Sequence, residues 1–177
     1  MEIKLHDKYF KPFIEAPELD FAIANMAKQI EDDFQDDIPV FIGVLNGSFM
    51  VMSDLMKHYS HPCEVSFVKM ASYEGTQSTN EVKQLIGLNQ SLEGRSVVIV
   101  EDIVDTGNTI EELKHIFKNQ GVKHFKIATL FLKPDAYKKD IKLDYVGIRI
   151  PNKFIVGFGL DYDGLGRNLK DVYQLSE

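Results

Sequence analysis

Apolar residues follow two different spacings along the chain, and the two spacings alternate. Short apolar or alternating runs predict strands, whereas apolar residues three or four positions apart predict helices. The predicted strands cover 39–45, 63–70, 82–89, 96–102, 125–133, 145–150 and 154–162. The predicted helices cover 17–34, 49–59 and 109–121. Residues 71–81 are polar without apolar periodicity and predict a long loop.

The order of these elements predicts an α/β fold. Strands alternate with helices in the first two-thirds of the chain, which favours a parallel sheet flanked by helices with right-handed crossovers. The end of the chain is strand-rich instead, so we expect a small subregion, a hood, built from the terminal segments. No repeat, low-complexity tract or Gly/Ser linker interrupts the chain, so residues 1–177 are predicted to form a single domain.

Composition narrows the class of protein. The chain has 20 Lys and Arg against 27 Asp and Glu, a formal net charge of −7, and no basic stripe, which argues against binding to nucleic acid. No apolar run approaches the ~18–20 residues that span a bilayer. The first residues lack the basic start and apolar middle of a signal peptide. Cys63 stands alone, so no disulfide framework is expected, and we predict a cytoplasmic protein without membrane or nucleic-acid partners.

Three carboxylates follow the apolar run VVIV of one predicted strand, in the sequence VVIVEDIVDTGNT at 97–109. Ligands of open α/β sheets bind beyond the carboxyl ends of the strands. Glu101 and Asp102 therefore suit two roles, holding a hard divalent cation such as Mg²⁺ or accepting hydrogen bonds from a polyhydroxyl ligand. The alternative is that acids before a helix only favour its positive end. This pair alone does not separate the two interpretations.

The five residues from Asp105 to Thr109 favour a site for an anion. They provide short polar side chains, a glycine that allows close backbone approach, and a predicted helix N-terminus directly afterwards. Free N–H groups at the start of a helix bind phosphate well. The chain contains no G-x-x-x-x-G-K-[ST], and no G-x-G-x-x-G follows a strand, so this is neither a nucleotide P-loop nor a dinucleotide fingerprint. The sequence predicts a monophosphate cradle beside paired carboxylates, which fits a sugar phosphate.

The same stretch resembles the phosphoribosyl-pyrophosphate (PRPP) signature of type I phosphoribosyltransferases: an apolar strand, two acids, two apolar residues, then D-T/S-G-x-T. From about Val40 onward, further segments resemble the 6-oxopurine, or hypoxanthine-guanine, branch of that family in order and spacing. These segments are VLNGSFMVMSDL, ASYEGTQST, LFLKP and IPNKFIVGFGLDYDGLGRNL. The resemblance implies the type I phosphoribosyltransferase fold and a homodimer or homotetramer. It also implies a purine salvage enzyme that uses Mg²⁺ and transfers the 5-phosphoribosyl group from PRPP to N9 of hypoxanthine or guanine.

The resemblance implies a role for each acid. Asp105 matches the general acid/base that faces N7 of the purine. The cradle of the 5′-phosphate is matched by Asp105, Thr106, Gly107, Asn108 and Thr109. Glu101 and Asp102 would hold the ribose hydroxyls, directly or through Mg²⁺. Together with Asp161, they are the implied metal ligands.

The purine contacts implied by the resemblance are Lys133, Lys153, Phe154, Ile155 and Asp161. Phe154 would stack on the base, Ile155 would meet the base edge through its backbone, and Lys133 would donate a hydrogen bond to O6. Because a lysine donates and does not accept, an oxopurine is expected rather than adenine.

The same resemblance implies which residues bind pyrophosphate and which belong to a loop that closes over the site. The matching positions are Leu45, Asn46, Gly47, Ser72, Tyr73 and Arg167. The first three match the pyrophosphate loop, where the family often has a lysine and a non-proline cis peptide; Asn46 removes that positive charge. Arg167 matches a pyrophosphate-binding arginine, a role that suits its planar fork. Ser72 and Tyr73 match a flexible loop that closes over the reacting centre and excludes water.

Three other functions are alternatives to this one. A xanthine-preferring relative would share the same motifs. A non-catalytic regulator that senses PRPP or nucleotides would be expected to carry a basic nucleic-acid surface or a second domain, and the sequence predicts neither. A phosphoacceptor signalling domain also places acids at strand ends, but it needs a regular five-fold β/α alternation that the strand-rich end does not follow.

Overall fold

The computed structural model describes residues 1–71, 83–87 and 91–176, and its elements are grouped around two sheets. In chain order the elements are β1 (Ile3–Leu5), β2 (Lys8–Ile14), α1 (Ala16–Asp33), β3 (Val40–Leu45), α2 (Phe49–His58), β4 (Glu64–Ala71), β5 (Lys83–Ile86), β6 (Ser96–Val104), α3 (Asn108–Lys118), β7 (His124–Leu132), β8 (Tyr145–Arg149), β9 (Ile155–Val156) and β10 (Val172–Leu175). Ser72 and Tyr73, predicted for the closing loop, lie outside the described residues.

The larger sheet has its strands in the order β5-β4-β3-β6-β7-β8. Strands β4, β3, β6, β7 and β8 run parallel, whereas β5 joins the edge strand β4 in the antiparallel direction. The predicted parallel sheet is therefore confirmed. β3 is buried on both faces, which explains why its sequence is a continuous apolar run rather than an alternating one.

Helices cover both faces of this sheet. Side chains alternate along β6, so Val100 packs with α1 and α2 whereas Ile99 packs against α3. The stripe of α1 that faces the sheet consists of Leu19, Ile23, Met26, Ala27 and Ile30. Full burial of one large apolar side chain contributes roughly 1.5–3 kcal/mol, so packing of such stripes is the main source of helix stability here. Within the described residues, no helix is long and apolar enough to cross a membrane.

The first turn of α1 is capped by a residue from the far end of the chain. Glu15 stands at the N-cap but makes no side-chain capping hydrogen bond. Instead, the backbone N–H of Ala16 donates to Asp171 Oδ1 at 2.8 Å. The start of α1 is therefore tied to the segment that precedes β10.

The smaller sheet contains both terminal segments, in the order β1-β2-β10-β9, with every pair antiparallel. β2 pairs with β10, so that Phe10 lies opposite Leu175. Ile14, Ile155 and Val172 of this sheet belong to the same buried cluster as α1 and α2. This sheet is the predicted hood, and its origin in the terminal segments is confirmed.

For two predicted strands, the difference between the predicted and the observed bounds matters for the site. Residues 154–162 were predicted as one strand, but only Ile155–Val156 is a strand, because the chain turns at Gly157 and Gly159, whose φ angles are +99° and +97°. Conversely, β6 does not end at Asp102 but continues to Val104. The paired acids therefore belong to the strand itself, and their directions are set by its alternation.

Candidate functional site

The two adjacent acids of β6 face opposite sides of the larger sheet. Neighbouring side chains alternate between the faces from Val97 to Val100: Val98 and Val100 pack with α1 and α2, whereas Val97 and Ile99 pack against α3. Asp102 follows the face of Val100, which packs with α1, whereas Glu101 follows the face of Ile99, which packs with α3. The predicted pair is thus divided between two environments.

Glu101 lies beside the loop that follows β6. Its side chain is buried, and it stands opposite Thr129, whose hydroxyl donates to the Phe131 carbonyl at 2.9 Å. Burial, and then the charge of Asp102, raises the pKa of Glu101 well above its ordinary value. A cavity of about 30 Å³ is lined by residues of β6, the loop and α3: Glu101, Ile103, Val104, Asp105, Gly107, Asn108, Thr109 and Ile110. A carboxyl in this position can hydrogen-bond a polar ligand that the loop holds.

The predicted cradle consists of this loop and the first turn of α3. Gly107 stands at the N-cap of α3 with φ of +83°, and a Cβ there would lie 2.5 Å from Tyr137 Cε2, so only glycine fits. The Asp105 carboxylate accepts a short hydrogen bond from the Thr106 N–H. The exposed members of the cradle are Asp105, Thr106, Asn108 and Thr109. The N-cap residue Gly107 has no side chain that could cap α3, so the N–H groups of its first turn can bind an anion.

The loop after β3 lies against the other acid. The peptide bond between Leu45 and Asn46 is cis. A Cβ on Gly47 would lie 1.5 Å from Asp102 Oδ2, so the backbone of this loop touches the carboxylate directly. Burial raises the pKa of Asp102 to about 6, although backbone N–H groups and the charge of Arg167 act in the opposite direction. The predicted pyrophosphate loop and Asp102 therefore form one surface.

The segment after β9 reaches the same surface. Arg167 Nη2 lies 2.6 Å from Asp161 Oδ1, and Arg167 Nη1 donates to the Gly159 carbonyl at 2.7 Å. The second oxygen of Asp161 accepts the Gly164 N–H, also at 2.7 Å. Both charges are close enough to act on the pKa of Asp102, which Arg167 lowers and Asp161 raises. The structure thus brings together three predicted residues from distant parts of the sequence.

The residues predicted for the base lie after β7 and at the start of β9. Lys133 is half-buried, and its N–H donates to the Val104 carbonyl at 3.0 Å, which fixes it beside the end of β6. Phe154 is 45% exposed, so one part of its ring is open to a ligand. The side chain of Ile155 is buried in the core, which leaves its backbone as the part that a ligand can meet. Lys153 precedes them on the surface.

Sequence reasoning missed the contribution of the hairpin formed by β1 and β2. The Tyr162 ring lies edge-on to Phe154, with 5.9 Å between the ring centroids and 86° between the planes. The Tyr162 hydroxyl donates to Asp7 Oδ1 at 2.7 Å, and His6 Nε2 lies 3.0 Å from the Asp163 carbonyl. The hairpin thus supports the exposed aromatic ring from behind. No local pattern links residues that are 155 positions apart in sequence.

The three predicted metal ligands do not form one cluster. Within 1–71, 83–87 and 91–176, no three His, Cys, Asp or Glu side chains lie close enough together to hold a metal ion. Asp161 is close enough to Asp102 for its charge to raise the pKa of Asp102, whereas Glu101 faces the other side of the sheet. Mg²⁺ in phosphoryl sites commonly takes one or two carboxylates and completes its shell with substrate oxygens and water. The pair of Asp102 and Asp161 fits that donor set, and Glu101 as a ligand stays a prediction.

One edge of the larger sheet therefore carries two regions that are suited to bind an anion, with carboxylates between them. On the α3 side are the free N–H groups of the cradle. On the hood side are the loop backbone at Gly47 and the guanidinium of Arg167. An aromatic ring, Phe154, stands open in the hood. The arrangement suits a ligand with two anionic ends and a flat ring as its partner.

Known proteins match this chain over most of its length. Residues 13–163 match the phosphoribosyl transferase domain. A hypoxanthine-guanine phosphoribosyltransferase of Streptococcus pyogenes is 46% identical over 153 residues, which cover 86% of this chain and 85% of that protein. One of Bacillus subtilis is 40% identical over 160 residues, covering 90% and 89%. A crystal structure of a hypoxanthine-guanine phosphoribosyltransferase from Bacillus anthracis superposes with a TM-score of 0.87 at 35% identity, covering 99% of both chains.

Proposed function

The chain belongs to the phosphoribosyltransferase family, and we propose that it is the purine salvage enzyme that joins hypoxanthine or guanine to the 5-phosphoribosyl group of PRPP. The bond between C1′ and the pyrophosphate oxygen breaks, and a bond between C1′ and N9 of the base forms. The products are a nucleoside 5′-monophosphate and pyrophosphate. The relatives named above support this activity and favour neither a xanthine-preferring enzyme nor a regulator.

The division of the acids at the end of β6 is the observation that best supports the proposal. Glu101 faces the cradle, and Asp102 faces Gly47 and Arg167. PRPP carries a phosphate at one end and a pyrophosphate at the other, with the ribose hydroxyls between them. Two anion-binding regions flanking a pair of carboxylates follow the same order as the groups of that substrate.

The cradle, residues 105–109, binds the 5′-phosphate through backbone N–H groups and the positive end of α3. Asp105 lies within the cradle, exposed and oriented by the Thr106 N–H. N9 becomes more nucleophilic as N7 loses its proton, and we assign that proton to the Asp105 carboxylate. The cradle thus positions the sugar and the general base from one loop.

The base lies against Phe154, which is supported from behind by Tyr162 and is still open on its other part. Lys133 donates to O6 of the base, and the backbone of Ile155 meets the base edge, with Lys153 and Asp161 on either side. An adenine would present a donor to the Lys133 ammonium, which explains the expected preference for oxopurines.

Pyrophosphate is held by the backbone of Leu45, Asn46 and Gly47 and by the Arg167 guanidinium. Asp102 and Asp161 would hold Mg²⁺ together with oxygens of the substrate. When bound, that ion supplies positive charge that offsets the charge developing on the leaving pyrophosphate. The role that we propose for Ser72 and Tyr73, which lie outside the described residues, is to exclude water that would hydrolyse PRPP.

The proposed assembly is a homodimer or homotetramer in the cytoplasm. Large apolar side chains that are exposed on the single chain support an interface between copies; among them are Phe21, Phe49 and Val65. Light scattering on the purified protein measures the assembly. A monomer at micromolar concentration would contradict it.

The activity is tested by mixing the protein with Mg²⁺, PRPP and one base at a time: hypoxanthine, guanine, xanthine or adenine. Nucleotide formation with hypoxanthine and guanine is expected, with little or none from adenine. Turnover of xanthine alone would favour the xanthine-preferring alternative. Absence of nucleotide with every 6-oxopurine would refute the proposed activity.

A further inference from the structure

The strands around the pyrophosphate loop set three residues in one row across the larger sheet. Leu45 of β3 lies directly opposite Lys69 of the parallel strand β4. On the other side of β3, Gly43 lies opposite Val100. Continuing that register by two residues along both strands brings Leu45 level with Asp102. Lys69, Leu45 and Asp102 therefore form a row, and Asn46 and Gly47 continue from its middle member.

The side chain of Lys69 lies on the face of the sheet that carries this loop. Opposite residues of paired strands point to the same face, and so do residues two positions apart in one strand. Phe67, two residues before Lys69, lies against Gly43: a Cβ on Gly43 would stand 2.8 Å from the Phe67 ring and 3.0 Å from Ser48 Oγ. Ser48 follows the loop directly. Lys69 thus points to the face from which the loop leaves β3.

The charges of this region are unbalanced without Lys69. Asp102 and Asp161 are both acidic, and the Arg167 guanidinium is already engaged by Asp161 and the Gly159 carbonyl. The loop itself carries the neutral side chain of Asn46. A second anion bound here would need a further cation to offset the field of the carboxylates.

Lys69 is available to supply that charge. It is half-buried, and no carboxylate of the described residues lies within ion-pair distance of its ammonium. Neighbouring strands lie about 4.8 Å apart, which is less than the reach of an extended lysine side chain, so the ammonium can reach the region above Leu45.

From the register, the shared face and the charge balance, we infer that Lys69 is a pyrophosphate-binding residue of this chain. Lys69 lies on the neighbouring strand β4 and supplies the positive charge that the neutral Asn46 does not provide. The inference rests on the proposed function for the identity of the anion. Its physical basis, a cation one strand away from an uncharged anion loop, is independent of the transfer reaction.

The inference is tested by calorimetric binding of Mg²⁺-pyrophosphate alone to the wild-type protein and to Lys69→Gln. We expect the dissociation constant to rise about tenfold, the scale of one lost charge-assisted hydrogen bond. Lys69→Arg keeps the charge and should bind nearly as well as wild type. Lys57→Gln, at an exposed lysine paired with Asp54 on α2, is the matched control and should leave binding unchanged.

The decisive variant removes the positive charge from β4 and places one in the loop after β3. In the double variant Asn46→Lys/Lys69→Gln, a lysine stands in the loop itself, and binding of Mg²⁺-pyrophosphate should recover most of the lost affinity. Equal affinity of wild type and Lys69→Gln, with unchanged melting temperature, would overturn the inference. Failure of the double variant to recover affinity would also overturn it.

These outcomes are separable from failure of the proposed function. The binding measurement needs no turnover, so an inactive wild-type protein that loses pyrophosphate affinity in Lys69→Gln would support the Lys69 site while refuting the transferase. If Lys69→Gln does not fold, the comparison is made with Lys69→Met. The methionine keeps the apolar stem of lysine and removes only the ammonium.

Discussion

The Cα of Gly159 lies directly against the backbone carbonyl of Gly47: a Cβ on Gly159 would stand 2.1 Å from that oxygen. Gly47 in turn lies against Asp102 Oδ2. The loop after β3 is therefore enclosed between the end of β6 and the segment after β9. This contact brings a part of the hood into the pyrophosphate loop, although more than half of the chain separates them in sequence.

Gly159→Ala should disrupt that contact and lower the free energy of unfolding. Two costs add: φ of +97° is strained for alanine, and the methyl group would overlap the Gly47 carbonyl. We expect a loss of at least about 2 kcal/mol in urea unfolding, with a large decrease in nucleotide formation. Gly94→Ala is the control, since φ is +70° there and no atom of the described residues lies within 4 Å of the added Cβ. Equal losses in the two variants would show that the Gly47 contact contributes nothing.

Asp105→Asn should lower turnover by about 100-fold or more, the usual scale for loss of a general acid/base. The amide oxygen can still accept the Thr106 N–H, so the cradle is expected to keep its shape and the protein its melting temperature. Steady-state rates with hypoxanthine measure the effect, with Asp36→Asn, at an exposed residue remote from the cradle, as the control. Unimpaired turnover would remove Asp105 from the proton transfer.

Asp102→Asn should stabilise the metal-free protein near neutral pH. Burial raises the pKa of Asp102 from 3.8 to about 6, so between those values the folded protein binds a proton that the unfolded chain releases. The free energy of unfolding therefore falls as pH rises through that window and stays low above it. Asparagine carries no charge at either pH, so the variant should melt a few degrees higher at about pH 7, since about 1 kcal/mol corresponds to about 2–4 °C in a chain of this size. A melting temperature below that of wild type would contradict the conclusion that burying the charge of Asp102 destabilises the folded protein.

Asp37→Asn should change the melting temperature in the opposite direction to Asp102→Asn. The hydroxyl of the buried Ser96 donates to Asp37 Oδ2 at 2.6 Å, and this hydrogen bond, with those of Ile38 N–H and Lys123, lowers the pKa of Asp37 below 3.8. The stabilisation is present above the pKa of the unfolded chain and is lost as pH falls through the lower, folded value. The variant should therefore melt below wild type at about pH 7, and the difference should shrink in acid. A difference that stays constant down to about pH 2 would contradict the assignment.

Tyr162→Ala should weaken binding of the base more than it slows the reaction. The ring of Tyr162 packs edge-on against Phe154, and such aromatic pairs contribute about 0.5–1.5 kcal/mol. We expect the KM for hypoxanthine to rise by up to about tenfold, with smaller changes in kcat and in the KM for PRPP. Tyr162→Phe keeps the ring and loses only the hydrogen bond to Asp7, so it should stay near wild type. If both variants raise the KM equally, the Asp7 contact, and not the ring, holds Phe154.

The cradle and the direction of the acids follow from local sequence. The apolar strand, the paired carboxylates, Gly107 and the start of α3 are adjacent in the chain, so spacing alone predicts their arrangement. The opposite faces of Glu101 and Asp102 likewise follow from the alternation of a strand. The family resemblance added the residues farther along, and the structure brings Asp161 and Arg167 next to Asp102.

The contacts between distant segments could not be predicted from pattern. Nothing near Asp7 indicates that it accepts a hydrogen bond from Tyr162, and nothing near Gly47 indicates that Gly159 lies against it. The predicted strand at 154–162 was wrong beyond Val156 for a related reason: the segment is mostly apolar, but glycines with positive φ turn the chain. Glycines inside an apolar run are the signal that could have warned of this.

Asp171 caps α1, and β2 pairs with β10. These two contacts determine the order in which parts of the chain can fold during translation. The parallel strands from β3 to β8 can assemble while synthesis continues, since each finds its partners within the chain already made. The hood cannot assemble at that stage, because β2 pairs with β10, which begins only at Val172. The nascent chain should therefore gain its helices and central sheet first and its binding site for the base last, after β10 has been synthesised.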